Sequence, residues 1–380
     1  MKKCALSLGV AVVVALSAGI RPAASQLGGL TGVLKKAETV KKIADVKVTD
    51  AEEQQIGQQV SDKVLETFGV YQDADVTKYV TLVGAVLAQG STRPYLNWQF
   101  VVLDTEGVNA FAAPGGYIHI TKGLLGLMNN EAELAGVLAH EIVHVTEKHT
   151  INSIQQGGYV QVGTGEIGTG GMAQSLVTKL ADAAYSNILN NKFSRDDEGE
   201  SDEKGVVLAN SVGYAASGLI SALTKLSDRN KDAKEPNGMF ASHPAMKDRI
   251  SRIESLIKGK KLAATATVDA RYAKHITFDA KPAAAIATVA EGSRGLAGGE
   301  EKKAADKTAD AAKKEEPKKS GGLLGRLRPG GTQAEQSQTV ASAGARGVNP
   351  DRDAVGGANK QRVPVKIGPA DLAEFRKGIA

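Results

Sequence analysis

The sequence has little cysteine, few aromatic residues and only one long apolar run, and each shortage narrows what it can be. Cys4 is the sole cysteine among 380 residues. The chain cannot cross-link itself by a disulfide, and a structural metal site built from thiolates is excluded. Any metal site must be made of histidine and carboxylate, which suits a catalytic zinc rather than a structural one. Apolar residues run together at length only from Ala5 to Ile20. That is short for a membrane span, and no second long run follows. The body also lacks a strong charge of one sign. Of the net +5, residues 263–380 carry 20 Lys+Arg and 14 Asp+Glu, a net of +6, leaving residues 1–262 with 27 and 28, a net of −1. A mildly acidic body with a basic tail argues against nucleic acid as a partner.

What is present begins with a targeting pattern. Lys2 and Lys3 precede the apolar run, and Ala23, Ala24 and Ser25 offer a small-x-small cleavage site. Residues 1–25 read as a secretory signal, with an uncleaved anchor as the competing reading. Cys4 lies before the apolar run, so it is not placed for lipid attachment. Residues 26–48 are polar with Gly and Lys, a mobile lead-in.

Helical spacing then dominates. Thr49 caps a helix carrying Ile56, Val60, Val64 and Phe68, and a second helix runs from Asp73 to Ala88. Residues 98–103 are rich in β-formers, and Tyr117–Thr121 is a short strand after the turn Pro114-Gly115-Gly116, with the proline suiting a sheet edge. Asn129 and Asn130 cap the next helix. Residues 157–171 hold seven glycines in fifteen positions and exclude a regular element; they read as a substrate-access lid or a plain linker. Further helices are expected over 172–192, from Phe193 through the acidic run to Leu208, over 213–226, and from Ser242-His243-Pro244 onward. Residues 263–294 could hold a satellite element near His275–Phe278. Residues 295–362 lack aromatics and cannot bury enough surface to offset ordering, so they read as a disordered linker. Residues 363–380 could form a short terminal helix through Leu372 and Phe375. The fold class is α+β, mostly helical, with a small sheet.

The chemistry centres on His140-Glu141-Ile142-Val143-His144. The chain has only six histidines, and two of them stand one helical turn apart on one face. They can grip one metal ion, with Glu141 within reach of a water on it. This is the H-E-x-x-H pattern of zinc peptidases. The bland alternative is an amphipathic helix with two histidines on its polar side. A catalytic zinc takes three protein ligands and a water, so a third ligand must come from elsewhere. His149, His243, His119 and the acids near 196–203 are all candidates. Glu198 and Asp202 share a helical face, although the run read alone is also a solvated acidic surface.

Taken together, several separated motifs resemble the HtpX- and BepA-like zinc endopeptidases, a family that also holds the CaaX prenyl endopeptidases. They are Val108–Gly116 with Gly123-Leu124-Leu125, His140–His144 with His149, Phe193-Ser194-Arg195 with Glu198 and Asp202, and Ser242-His243-Pro244 with Arg249-Ile250. The likeness runs from about Thr49 to Leu256, within a peptidase domain spanning 49–262, and implies a zincin-like fold and one Zn2+ per chain. It implies His140, His144 and Glu198 as ligands and Glu141 as the catalytic base. Asp202, His243, Arg249 and His149 would support them. It also implies a substrate strand around Asn109, Ala110, Tyr117, Ile118 and His119. Gly199 and Ser201 depart from the larger residue and Ala usual there, which would loosen the helix around Glu198. The family's multi-span membrane branch is not matched, which favours the soluble, exported branch.

The function expected is an exported, periplasmic zinc endopeptidase in envelope quality control. Its partners would be unfolded or misassembled proteins and envelope or outer-membrane assembly components. Two other classes compete: a zinc-holding chaperone-like module that does not cut, and a scaffold whose tail recruits membrane or wall components.

Overall fold

The computed structural model describes residues 47–158, 160, 162, 166–168, 171–190, 193–230, 243, 246–282 and 359–379. The expected signal, nearly all of the lead-in and most of the linker lie outside these residues. Helix α1 (Asp50–Phe68) starts where Thr49 and Glu52 cap each other, with Thr49 N–H donating to Glu52 Oε2 at 2.9 Å and Glu52 N–H to Thr49 Oγ1 at 3.3 Å. Ile56, Val60, Val64 and Phe68 fall on one face and are fully buried. Asp73 caps α2 (Ala74–Gln89) through the Val76 N–H.

A three-stranded sheet follows, made of β1 (Gln99–Leu103), β2 (Ala110–Ala113) and β3 (Tyr117–Thr121), in the order β1-β3-β2. Strand β3 is central, not at an edge: it pairs in parallel with β1 and antiparallel with β2. Pro114 suits the tight turn from β2 into β3 and leaves every β3 amide free for the ladder. Alternation along the strands splits the interior in two. Phe100, Val102, Ile118 and Ile120 face a core shared with α2 and the helices over 131–146 and 195–212, whereas Val101, Leu103, Phe111 and Tyr117 face α1 and the helix over 174–190.

After α3 (Lys122–Leu125), Asn130 caps α4 (Glu131–Thr146) by accepting from the Glu133 N–H at 3.0 Å. Helix α4 is buried along nearly its whole length, which its small and branched residues permit. The chain continues through α5 (His149–Gly157), α6 (Gln174–Asn190), α7 (Arg195–Val212), α8 (Gly218–Asn230), α9 (Met246–Lys260) and α10 (Asp269–His275). Part of the glycine-rich stretch does form regular structure, a two-residue ladder between β4 (Ile167–Gly168) and β5 (Gly171–Met172). The helix expected from Gly213 begins instead at Gly218, because Gly213 ends α7 with a left-handed φ of 119°. The departure at Gly199 and Ser201 leaves α7 unbroken.

Residues 359–379 return to this body. Composition placed Asn359–Arg362 in the linker, yet Asn359 O accepts from Val70 N–H at 2.6 Å and Arg362 donates to Ser61 Oγ at 2.8 Å. The segment ends in α11 (Pro369–Lys377), whose Phe375 is buried against the main core. No helix among the described residues is long and apolar enough to cross a membrane.

Candidate metal centre

Helix α4 carries His140 and His144 one turn apart, and α7 packs along it closely enough to bring Glu198 beside them. Gly205 makes that approach possible: a Cβ there would lie 3.0 Å from the His140 Cα and N. Gly136 does the same for α8, where a Cβ would meet the Leu219 N at 2.7 Å. His243, just before α9, completes the group. One donor atom from each of His140, His144, Glu198 and His243 lies within 4.8 Å of all the others, and all four residues are buried.

The spacing suits one small cation. The two Nε2 atoms of His140 and His144 are 3.1 Å apart, and Glu198 oxygens lie 3.7 Å and 3.6 Å from them. A tetrahedral ion with bonds of about 2.0–2.1 Å separates its ligand atoms by about 3.3 Å. His243 Nδ1 stands 3.3 Å from His140 Nε2 and 2.7 Å from Glu198 Oε1. Both oxygens of Glu141 are buried with no hydrogen-bond partner among the described residues, and the nearer is 3.7 Å from His243 Nε2. Such orphaned acceptors fit a site made to receive a water or a cation. The donor set is that of catalytic zinc, all nitrogen and oxygen.

Electrostatics divide the acids by role. Burial pushes the Glu141 carboxyl above its usual range, against the pull of His243 and His140. Burial also acts to raise Glu198, but His243 and Arg249 outweigh it and hold this carboxyl below its usual range. Burial, with His140 and His243, keeps His144 neutral far below the usual imidazole range. Burial would lower His243, yet Glu198 overrides it and raises the ring. The surroundings thus keep Glu198 ionised and favour the protonated form of Glu141.

Arg249 holds the surroundings together from a fully buried position. It grips Asp202 twice, at 2.8 Å and 2.6 Å, and reaches Glu198 Oε2 at 2.9 Å and the His243 carbonyl at 3.3 Å. Asp202 in turn lies 3.1 Å from His140 Nδ1, the outer nitrogen of that ring. His149 reaches the outer nitrogen of His144, with Nδ1 to Nδ1 at 2.9 Å, and Phe193 stacks on His144 with centroids 4.1 Å apart.

The strand residues separate. Tyr117, Ile118 and His119 have both main-chain edges occupied, so a peptide cannot pair with them. His119 instead meets Ser61 Oγ at 2.8 Å on the face away from the metal-site core. Asn109 turns its main chain to β3, accepting from the Thr121 N–H at 2.9 Å. By antiparallel alternation, Ala110 and Ala112 direct theirs away from β3. Ala112 and Ala113 border a small space shared with His144, Thr150 and Ile151. Glu200, one of the acids near 196–203, lies 3.2 Å from His149 Nε2, a contact that spacing along the chain does not announce. Two positions on from Glu198, it points to a different side of the helix.

Two histidines and a glutamate on one helix, a second glutamate from a neighbouring helix and a small adjoining sheet define a metalloprotease domain of the zincin kind. More specifically, residues 74–257 match the model of Peptidase family M48. The chain is 29% identical over 190 residues to a beta-barrel assembly-enhancing protease of Yersinia pestis, covering 47% of this chain and 38% of that one. It is 26% identical over 211 residues to the protein of that name in Escherichia coli (strain K12), covering 53% and 42%. Metalloprotease YcaL of the same organism is 32% identical over 164 residues, covering 43% and 63%. The chain thus spans about two fifths of the length of the first two.

Proposed function

We propose that this chain is a zinc-dependent endopeptidase, exported to the periplasm and acting in envelope protein quality control, with residues 49–262 as its peptidase domain. The observation that carries the reading is Glu141, a buried carboxyl with two unpartnered oxygens beside a histidine and glutamate donor set. His140, His144 and Glu198 would hold the ion, which when bound would lower the pKa of a water and polarise the scissile carbonyl. Glu141 takes the proton of the attacking water and hands it to the leaving amine. Its raised pKa suits both halves of that task. Asp202 fixes the tautomer of His140, so that Nε2 keeps its lone pair for the centre. Arg249 keeps Glu198 and Asp202 ionised in a buried setting. His243 sits within the ligand set and beside Glu141. In this reading it covers the centre at rest and steadies the developing oxyanion once substrate enters.

The outer edge of β2, at Ala110 and Ala112, serves as the rail for an extended peptide, which would add there as a strand. Substrates of this kind are unfolded or misassembled proteins, whose backbone is free to pair. Relatives named for β-barrel assembly support partners among envelope or outer-membrane assembly components. The test uses the full chain with β-casein. Hydrolysis is expected with one zinc per chain, to be lost on chelation and restored by zinc. Stoichiometric zinc with no cleavage of any unfolded substrate would instead favour the chaperone-like module.

A further inference from the structure

The two imidazoles of α4 are supported unequally. His140 has a carboxylate at its outer nitrogen, Asp202 Oδ1 at 3.1 Å. His144 has none there. Its Nδ1 meets His149 Nδ1 at 2.9 Å, and His149 Nε2 meets Glu200 Oε2 at 3.2 Å. Competing partners of His149 are more distant: Ser201 Oγ at 3.4 Å from Nδ1 and Asp197 Oδ1 at 3.7 Å from Nε2.

The polarity of this chain follows from its inner end. His144 Nε2 faces the other donors, 3.1 Å from His140 Nε2. With a lone pair directed there, the proton of a neutral His144 sits on Nδ1 and donates to His149 Nδ1. A neutral His149 then carries its own proton on Nε2, aimed at Glu200. One arrangement satisfies all three groups, and an anion at the outer end favours it.

The backbone is bent to make this contact. Lys148 joins α4 to α5 in the left-handed region, at φ 57°, unusual for a residue with a side chain. Its ammonium is tied to Asp50 at 3.1 Å and Glu53 at 2.9 Å. The turn folds His149 back onto His144. On the other side, Lys204 lies 2.6 Å from Glu200 Oε1, leaving Oε2 to His149.

We propose that Glu200 is a positioning residue of the metal centre, acting through His149 on His144. The inference rests on the reading of His140, His144 and Glu198 as ligands. It gives the two histidines of α4 separate carboxylate anchors from one helix, Asp202 directly and Glu200 through a second ring. The bland reading of Glu200 is a surface ion pair with Lys204, which contributes little.

The experiment measures zinc affinity of the full chain by competition with a chromophoric chelator, beside the absorption spectrum of the cobalt-loaded protein. Far-ultraviolet circular dichroism of each variant guards against misfolding. Glu200→Ala is expected to weaken zinc binding about tenfold and to shift the cobalt bands, with Glu200→Gln, which keeps an acceptor, in between. Lys204→Met should leave both readouts unchanged. In a His149→Phe background, itself weaker, Glu200→Ala should add nothing, because the connection is already cut. Unchanged affinity in Glu200→Ala, or equal losses in both backgrounds, overturns the proposal while the metal reading stands. Failure of the wild-type chain to bind zinc stoichiometrically overturns the metal reading and this inference together.

Discussion

Glu141 and Asp202 stand within one cluster of charges, yet their surroundings assign them opposite tasks. Glu141 is enclosed with no hydrogen-bond donor among the described residues, so burial favours its protonated form. Asp202 is gripped by Arg249 and stays ionised despite burial. Asp202→Asn should therefore weaken zinc binding about 10–100-fold and leave Arg249 with a buried, poorly compensated charge, as a chelator titration would record. His119 supplies a separate test at this scale. Burial, and then the nearby Arg362, lower its pKa to about 3, against an ordinary imidazole value of 6.5. The unfolded chain binds that proton and the folded chain does not, so stability is full above pH 6.5 and falls as pH drops toward 3. Between pH 7 and 5, His119 should cost about 2 kcal/mol of unfolding free energy. Denaturant titrations at both pH values should show a smaller loss for His119→Gln than for wild type. Equal losses would mean that His119 does protonate in the folded state.

At the scale of elements, helix periodicity was legible and sheet order was not. Val76, Val80 and Val83 on α2 or Ile56, Val60 and Val64 on α1 announce a buried face through spacing alone, and Thr49 and Asn130 announce caps through side-chain chemistry. The sequence of β3 carries no comparable mark of being central. Its neighbours β1 and β2 both precede it in the chain, one pairing parallel and the other antiparallel, and the nearby proline sits in the turn rather than the ladder. The ligand spacing within α4 was similarly readable, because a helix fixes it locally. Glu198 could be ranked only through resemblance, and Glu200 not at all, since both depend on how α7 and α5 pack on α4. The corrected topology makes its own prediction. In Glu141→Gln chain incubated with an unfolded peptide, hydrogen exchange should slow at the Ala110 and Ala112 amides. Ile118 and His119, already paired on both sides, should not change. Slowing confined to other elements would remove β2 as the substrate rail.

Across the whole molecule, the last described segment ties distant parts of the body together. Lys360 lies 2.8 Å from Glu66 of α1, Gln72 donates to the Gln361 carbonyl at 2.9 Å, and Arg271 donates to the Phe375 carbonyl at 2.9 Å. Phe375 and Ile379 bury themselves beside Tyr79 and Tyr272. Composition hid this, because the segment follows a long stretch of Ala, Gly and Lys, and a few apolar residues do not reveal what they pack on. Phe375→Ala should lower the unfolding free energy by about 3 kcal/mol in a denaturant titration, whereas an unchanged midpoint would mean that the segment contributes nothing to the fold. The proposed activity rests on Glu141 acting as a base beside a metal held by His140, His144 and Glu198. Its most direct test compares β-casein hydrolysis by the zinc-loaded full chain and by Glu141→Gln, with zinc content measured on both samples. The predicted result is a loss of at least about a hundredfold in rate at equal zinc content. Cleavage by Glu141→Gln at the wild-type rate would contradict it.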